Sequence, residues 1–207
     1  MHRFIITDEI KIRDALSSET PNLRAISKLA ASFAYVGLCG GDQVHLFAFG
    51  DTLRAQKRNL AQKGRFLETV DFLDKLEAVG GTAPLSAAMG CGPLRRGIAV
   101  VISDFMTDHG IEDTVKLLQQ EKQEVLLVQV LSKEEEEPKV GGAVRLVDAE
   151  TGESRDLELN EAMAAAYKKA LMKQRAALRE FCSRRDAVFA HVREDEDLLR
   201  VLYEMMR

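Results

Sequence analysis

The sequence predicts an α/β protein built on a doubly wound, mostly parallel sheet. Three observations carry this. Residues 98–102 (Ile-Ala-Val-Val-Ile) form an unbroken apolar run, as in a parallel strand covered on both faces, and Val125, Leu126, Leu127, Val128 and Val130 repeat the pattern over 124–131. Leu23, Ile26, Leu29, Ala30, Phe33, Ala34 and Val36 recur at helical spacing, as in a helix packed on a sheet. The run 98–102 and the N-terminal run Phe4-Ile-Ile-Thr7 also both stop at an acid, Asp104 and Asp8. In open α/β sheets, ligands sit in the crevice outside the carboxyl ends of the strands, so these two tips are the first candidates for function.

Length and composition bound the class. The 207 residues show no break in composition, and a single domain over 1–207 is expected. A net charge of -4 with interspersed acids and bases argues against a nucleic-acid-binding face, which would carry a basic stripe. Cys39, Cys91 and Cys182 are far apart and odd in number, so they read as reduced thiols, not as a zinc site or a disulfide framework, and point to the cytoplasm. No apolar run approaches the ~20 residues of a membrane span, and Met1-His2-Arg3 leads straight into a strand without a signal-peptide pattern. The expectation is a soluble chain.

In order, the strand ending at Asp8 is followed by an irregular polar stretch, 9–19. Thr20-Pro21 then opens the first helix, with a cap residue before a proline at the first helical position, and Gly40-Gly41 ends it. Residues 42–49 read as a second strand, Gly50-Asp51 as a tight turn, and 52–58 as a polar antiparallel partner at the sheet edge. Arg54, Lys57 and Arg58 on that edge are read as guards against unwanted pairing. A helix follows over 64–76, and then Gly80-Gly81-Thr82-Ala-Pro84, a sharp turn into a short helix that Gly90, Gly92 and Pro93 interrupt. Thr82 either caps that helix or points into the cleft.

After residues 98–104 come a loop to Gly110, a helix over 111–121 and the strand 124–131. The acidic run 133–139 reads as a solvated loop, with a docking patch as the alternative. Residues 144–147 and 157–159 flank Asp148-Ala-Glu-Thr-Gly-Glu153, a small β-hairpin that interrupts the alternation. Asn160 caps a long helix to about residue 184, packed through Ala164, Tyr167, Leu171, Leu178 and Phe181, with Lys168, Lys169, Lys173 and Arg175 solvated. A last strand over 187–192 and an amphipathic helix over 195–206 close the chain. His191 has no second histidine nearby in sequence and is read as packed or partly exposed.

Several chemistries are absent from this pattern. Ser103 lacks the glycine-flanked elbow of a serine nucleophile, and Gly80-Gly81-Thr82 lacks the Gly-Lys-Ser/Thr ending of a phosphate loop. Two roles are open to Asp104: a cap on the turn after its strand, or a member of a functional site.

The order of elements is that of the von Willebrand factor A fold, and the chain resembles the bacterial domain of unknown function numbered fifty-eight, a relative of that fold. The likeness lies in Leu29-Ala-Ala-Ser-Phe-Ala-Tyr35, Gly41-Asp42-Gln-Val44, Gly80-Gly81-Thr82, Val101-Ile-Ser-Asp-Phe105, Gly141-Gly142 through Asp148-Ala-Glu-Thr-Gly152, Ala166-Tyr-Lys-Lys-Ala-Leu171 and Arg175-Ala-Ala-Leu-Arg-Glu-Phe-Cys182. The resemblance implies a Rossmann-like doubly wound sheet with one antiparallel edge strand and the hairpin, about 141–159, as an insertion. It also implies a metal-ion-dependent adhesion site, in which hard oxygen ligands hold magnesium and leave one position for a partner's carboxylate. Asp8, Thr82 and Asp104 match three of its five positions. Ile10 and Ile12 stand where the family motif has serines, so the expectation is a degenerate site with no cofactor or weakly bound magnesium. A register using Asp14 with Ser17 or Ser18 would make the charged stretch 9–13 the central strand, a poor fit.

The expected function is therefore a non-enzymatic protein-binding module that engages its partner through Asp8, Thr82, Asp104 and Asp108. By resemblance the partner is a MoxR-type AAA ATPase chaperone, with no nucleic acid and no membrane span involved. Family members often carry membrane-anchoring segments ahead of this domain, so the chain reads as a short form or a fragment. The rival is a magnesium-dependent nuclease or phosphohydrolase built on Asp8, Asp104 and Asp108. Ile10 spoils an Asp-x-Asp pair there, and no basic cleft is evident.

Overall fold

The structure, a computed structural model, describes residues 1–8, 21–76, 83–106, 110–138, 140–141, 143–147, 154–158 and 160–196, with only the backbone at 4, 7–8, 21–23, 143–147 and 154–158. Six strands form one sheet in the order β3-β2-β1-β4-β5-β8: β1 (His2–Asp8), β2 (Gln43–Phe49), β3 (Leu53–Leu60), β4 (Gly97–Ser103), β5 (Gln123–Leu131) and β8 (Val188–Arg193). All neighbours are parallel except β2 and β3. The sheet is thus doubly wound and mostly parallel, with an antiparallel strand at one edge. A separate hairpin, β6 (Ala143–Val147) and β7 (Ser154–Glu158), pairs with itself.

Strand residues alternate between two cores, because successive side chains of a strand point to opposite faces. Ile5, Val44, Leu46, Val100, Ile102, Val128 and Val130 face α1 (Pro21–Cys39) and α2 (Phe66–Leu73). There Ile26, Leu29, Phe33 and Leu38, at helical spacing, bury one stripe of α1. Ile6, Phe47, Phe49, Ala99, Val101, Val125 and Leu127 face α3 (Pro84–Gly90), α4 (Ile111–Gln120) and α6 (Glu161–Ser183). The apolar run of β4 is explained by this double cover: of its seven residues only Ile98 is not buried.

Local signals set the element ends. Gly41, at φ +74, ends α1 in the left-handed region, and Pro84 starts α3. The helix expected over 64–76 divides into a 3-10 turn (Lys63–Arg65) and α2. The acidic run, expected as a solvated loop, instead opens with a one-turn helix, α5 (Lys133–Glu136). Ser132 and Glu135 form a reciprocal capping box, Ser132 Oγ accepting from the Glu135 N–H at 3.1 Å and Glu135 Oε2 from the Ser132 N–H at 2.7 Å. The guarding charges on β3 are also engaged: Lys57 pairs with Glu68 at 2.7 Å, and the Arg58 guanidinium lies 4.8 Å from the centre of the Phe47 ring. Cys91 and Cys182 are buried, Cys39 is exposed, and all three are free thiols. The stretch 9–19, the hairpin loop 148–153 and the expected helix 195–206, beyond Glu196, lie outside the described residues.

Gly97 begins β4 against β1 so closely that a Cβ there would stand 2.1 Å from the His2 carbonyl oxygen. A side chain at that position has to push two central strands apart. Gly97→Ala is therefore expected to lower stability by about 1–3 kcal/mol, the usual cost of overpacking, read as a shift in the urea midpoint at unchanged slope.

Candidate functional site at the carboxyl edge of the sheet

β1, β2 and β4 stop on the same edge. Thr7 is in register with Ile102 and Asp8 with Phe49, which sets Asp8 one residue and Asp104 two residues beyond the last β1–β4 pair. The two acid-tipped strands are thus neighbours and end together. The side chain of Asp8, and Thr82, Asp108, Ile10 and Ile12 altogether, lie outside the described residues. Of the expected site, the structure describes Asp104 in full.

Asp104 is buried, 7% exposed. Its Oδ1 accepts from the Met106 N–H at 2.8 Å, so it does cap the turn after its strand, and the Ser103 Oγ accepts from the Phe105 N–H at 3.0 Å. Burial is the main cause that pushes the Asp104 carboxyl up to about 6; the Met106 N–H and Ser103 oppose the rise, and the nearby Glu135 charge adds to it.

The backbone carbonyls of this turn are held from outside the loop. Gln129, a fully buried residue of β5, donates from Nε2 to the Asp104 carbonyl at 2.8 Å. Gln174 of α6 donates to the Phe105 carbonyl at 2.8 Å. Arg175, expected on the solvated face of α6, is instead largely buried; its Nε donates to Gln129 Oε1 at 2.8 Å and its Nη2 pairs with Glu136. An arginine so placed is stable because each charged or polar neighbour has a partner. Between these holds sits Phe105, fully buried and at φ +52, a conformation rare for a bulky side chain. Such backbone costs on the order of 1–3 kcal/mol and persists where its surroundings over-determine it. Tyr167, half-buried, has its hydroxyl pushed up, first by burial and then by Glu135, with Asp104 also contributing. His191 is exposed and in register with Gln129.

Sequence reasoning missed Gln129, Gln174, Arg175 and the α5 cap. Gln129 left a signal, an amide within an otherwise apolar strand, since a buried amide requires partners. The capping box was also present as Ser132-x-x-Glu135. For an adhesion-type ion, Ile10 and Ile12, at the positions that the family resemblance gives to serines, carry no side-chain oxygen, whereas magnesium takes an octahedron of oxygens.

The strand order, the antiparallel edge strand and the turn at the end of β4 define a von Willebrand factor A-like domain. The chain belongs to the family described as "Protein of unknown function DUF58", which matches residues 1–177. Solved structures of the same fold include conserved hypothetical protein BatB from Bacteroides thetaiotaomicron, 13% identical with a TM-score of 0.53, covering 99% of this chain and 96% of that one. An aerotolerance-related membrane protein from Bacteroides fragilis, carrying multiple mutations to serine, is 15% identical with a TM-score of 0.54 and the same coverages. Proximal thread matrix protein 1 from the mussel byssus is 12% identical with a TM-score of 0.52, covering 98% of this chain and 44% of that one. None of the curated proteins matches the chain. Among the described residues, no helix is long and apolar enough to cross a membrane.

The raised Asp104 carboxyl has a defined effect on stability. Its folded value of about 6 lies above its ordinary 3.8, so between those values the folded chain binds more protons than the unfolded one, and stability falls as pH rises through that window. The charged form then costs on the order of 3 kcal/mol above pH 6. Asp104→Asn keeps an oxygen for the Met106 N–H and removes the charge. The variant is expected to be more stable than the parent at pH 7.5 and to converge with it near pH 4 in urea unfolding.

Proposed function

We propose that this domain is a non-enzymatic protein-binding module that grips its partner with the loops at the carboxyl edge of the sheet. The observation that carries this reading is the strained Phe105 turn, fixed by Gln129 and Gln174, with Met106 beside it 41% exposed. Backbone strain held by side-chain amides keeps a surface in one shape, and a preformed surface loses less entropy on binding. Asp104 shapes this turn from beneath and Met106 meets the partner; by family resemblance Asp8, Thr82 and Asp108 do so too. By family resemblance that partner is a MoxR-type AAA ATPase, with the domain as its adaptor in the cytoplasm, a compartment that suits buried free thiols. The adhesion-type metal site is weakened or lost, and binding rests on loop shape and charge.

Direct binding to a purified MoxR-type ATPase tests this. Met106→Asp is expected to weaken it at least tenfold, by placing a charge in the contact, about 1.4 kcal/mol or more. Binding is expected to persist in chelator. Equal affinity of the parent and Met106→Asp would remove the turn from the interface. Magnesium-dependent hydrolysis of a nucleic acid or phosphate ester, abolished in Asp8→Ala and Asp104→Ala, would instead establish the nuclease or phosphohydrolase reading.

A further inference from the structure

The opposite edge of the sheet, at the amino ends of β1, β2 and β4, holds a cavity of about 220 Å³. His2, His45, Arg58 and Arg95 line it, with Gln43 and Asn59, and no carboxylate lines it among the described residues. This is a concentration of positive charge in a chain whose net charge is -4. We propose that the cavity is an oxyanion site that takes a phosphate-sized group between the two arginines and the two imidazoles.

Arg58 is held in place by neutral partners, and Arg95 is held through its backbone. Arg58 lies over the Phe47 ring and donates to Gln56 Oε1 at 2.6 Å and to the Cys91 carbonyl at 2.5 Å. These bonds use two of its five N–H donors. The Arg95 backbone is fixed by Gln123, whose Nε2 donates to its carbonyl at 2.9 Å. Neither arginine has an acidic partner among the described residues. His2 Nδ1 and His45 Nε2 lie 3.3 Å apart, and the Asn59 N–H reaches His45 Nδ1 at 3.3 Å. Of the nearby carboxylates, Asp42 is occupied by Arg3 at 2.5 Å and by the Met1 amino group at 3.0 Å, and Glu121 Oε2 accepts from the Leu94 N–H at 3.3 Å.

Crowding of like charge is visible in the imidazoles. His45 is pushed down to about 4 by burial first and then by His2, Arg58 and Arg95. His2 is lowered by burial, Arg95 and the Met1 amino group, with Asp42 opposing. An oxyanion reverses the sign of this field. It accepts from the arginine forks and favours a protonated imidazole, so below about pH 6, where phosphate is already a monoanion, it binds more tightly as pH falls. Two imidazole nitrogens 3.3 Å apart also suit one transition-metal ion, but two guanidiniums beside them repel a cation.

Histidine ring resonances, followed by NMR during titration with inorganic phosphate against chloride at matched ionic strength, test the site. Saturable shifts confined to His2 and His45 are expected, with the His45 value raised by about one unit, which corresponds to about tenfold preference of phosphate for the protonated ring. Arg95→Gln, at an exposed position, is expected to keep the parent's circular dichroism and melting temperature and to weaken phosphate about tenfold, as loss of a charge-assisted contact does; Arg96→Gln is the neutral control. Free phosphoserine as a second probe separates a site for the ion from one for a phosphoryl group on a larger molecule: equal or tighter binding indicates the latter, and no binding the former. Absence of a saturable response to phosphate, a response unchanged in Arg95→Gln, or saturation by zinc that His45→Gln abolishes and Arg95→Gln preserves would each overturn the proposal.

Discussion

The constraint on which this molecule depends is the double burial of β4. Strands β1 and β5 flank it, helices cover both of its faces, and Gly97 admits the neighbouring backbone at a distance that tolerates no Cβ. A strand so enclosed has no room for a polar side chain along its length, since each would need a partner inside an apolar layer. Polar chemistry is consequently displaced to the two ends of the sheet. At one end stand Ser103 and Asp104; at the other, Arg95 and the paired imidazoles of His2 and His45.

The carboxyl end shows how such a layer supports an unusual backbone. Gln129 is the one polar side chain of the inner part of β5, and it is bonded on both sides: its amide nitrogen to the Asp104 carbonyl, its oxygen to Arg175. Arg175 continues the chain of contacts to Glu136 on α5. The turn after β4 is therefore fixed by elements 25 and more residues away in sequence, not by its own local preference. This is why Phe105 can remain in the left-handed region although its side chain is large and fully buried.

Much of the fold was legible in the sequence, because it is written in periodicity and punctuation. The apolar run of β4, the Pro21 start of α1, the Gly40-Gly41 stop and the polar edge strand β3 each obey a local rule, and each lies where that rule puts it. The site was legible in part. Asp104 stood out by its position at a strand tip, yet its burial and its hold on the Met106 N–H belong to tertiary structure. Arg175 falls outside the apolar stripe of α6 and so reads as solvated from sequence; only the approach of α5 and β5 gives it partners. The acidic run misled in a similar way: like charges suggested an extended loop, whereas Ser132 satisfies the first turn of a helix and Glu136 finds its arginine. Composition describes the surface a segment would have alone, and these residues are not alone.

The Glu136–Arg175 pair also has a topological effect. It pins the end of α5 to the middle of α6, so the intervening chain, including β6 and β7, leaves and returns through two anchored points, and among the described residues the two strands of that hairpin pair with each other and not with the main sheet. The entropy of closing an anchored excursion grows only slowly with its length. Among the described residues, a change in the length of the β6–β7 segment therefore leaves the strand pairing of the six-stranded sheet untouched.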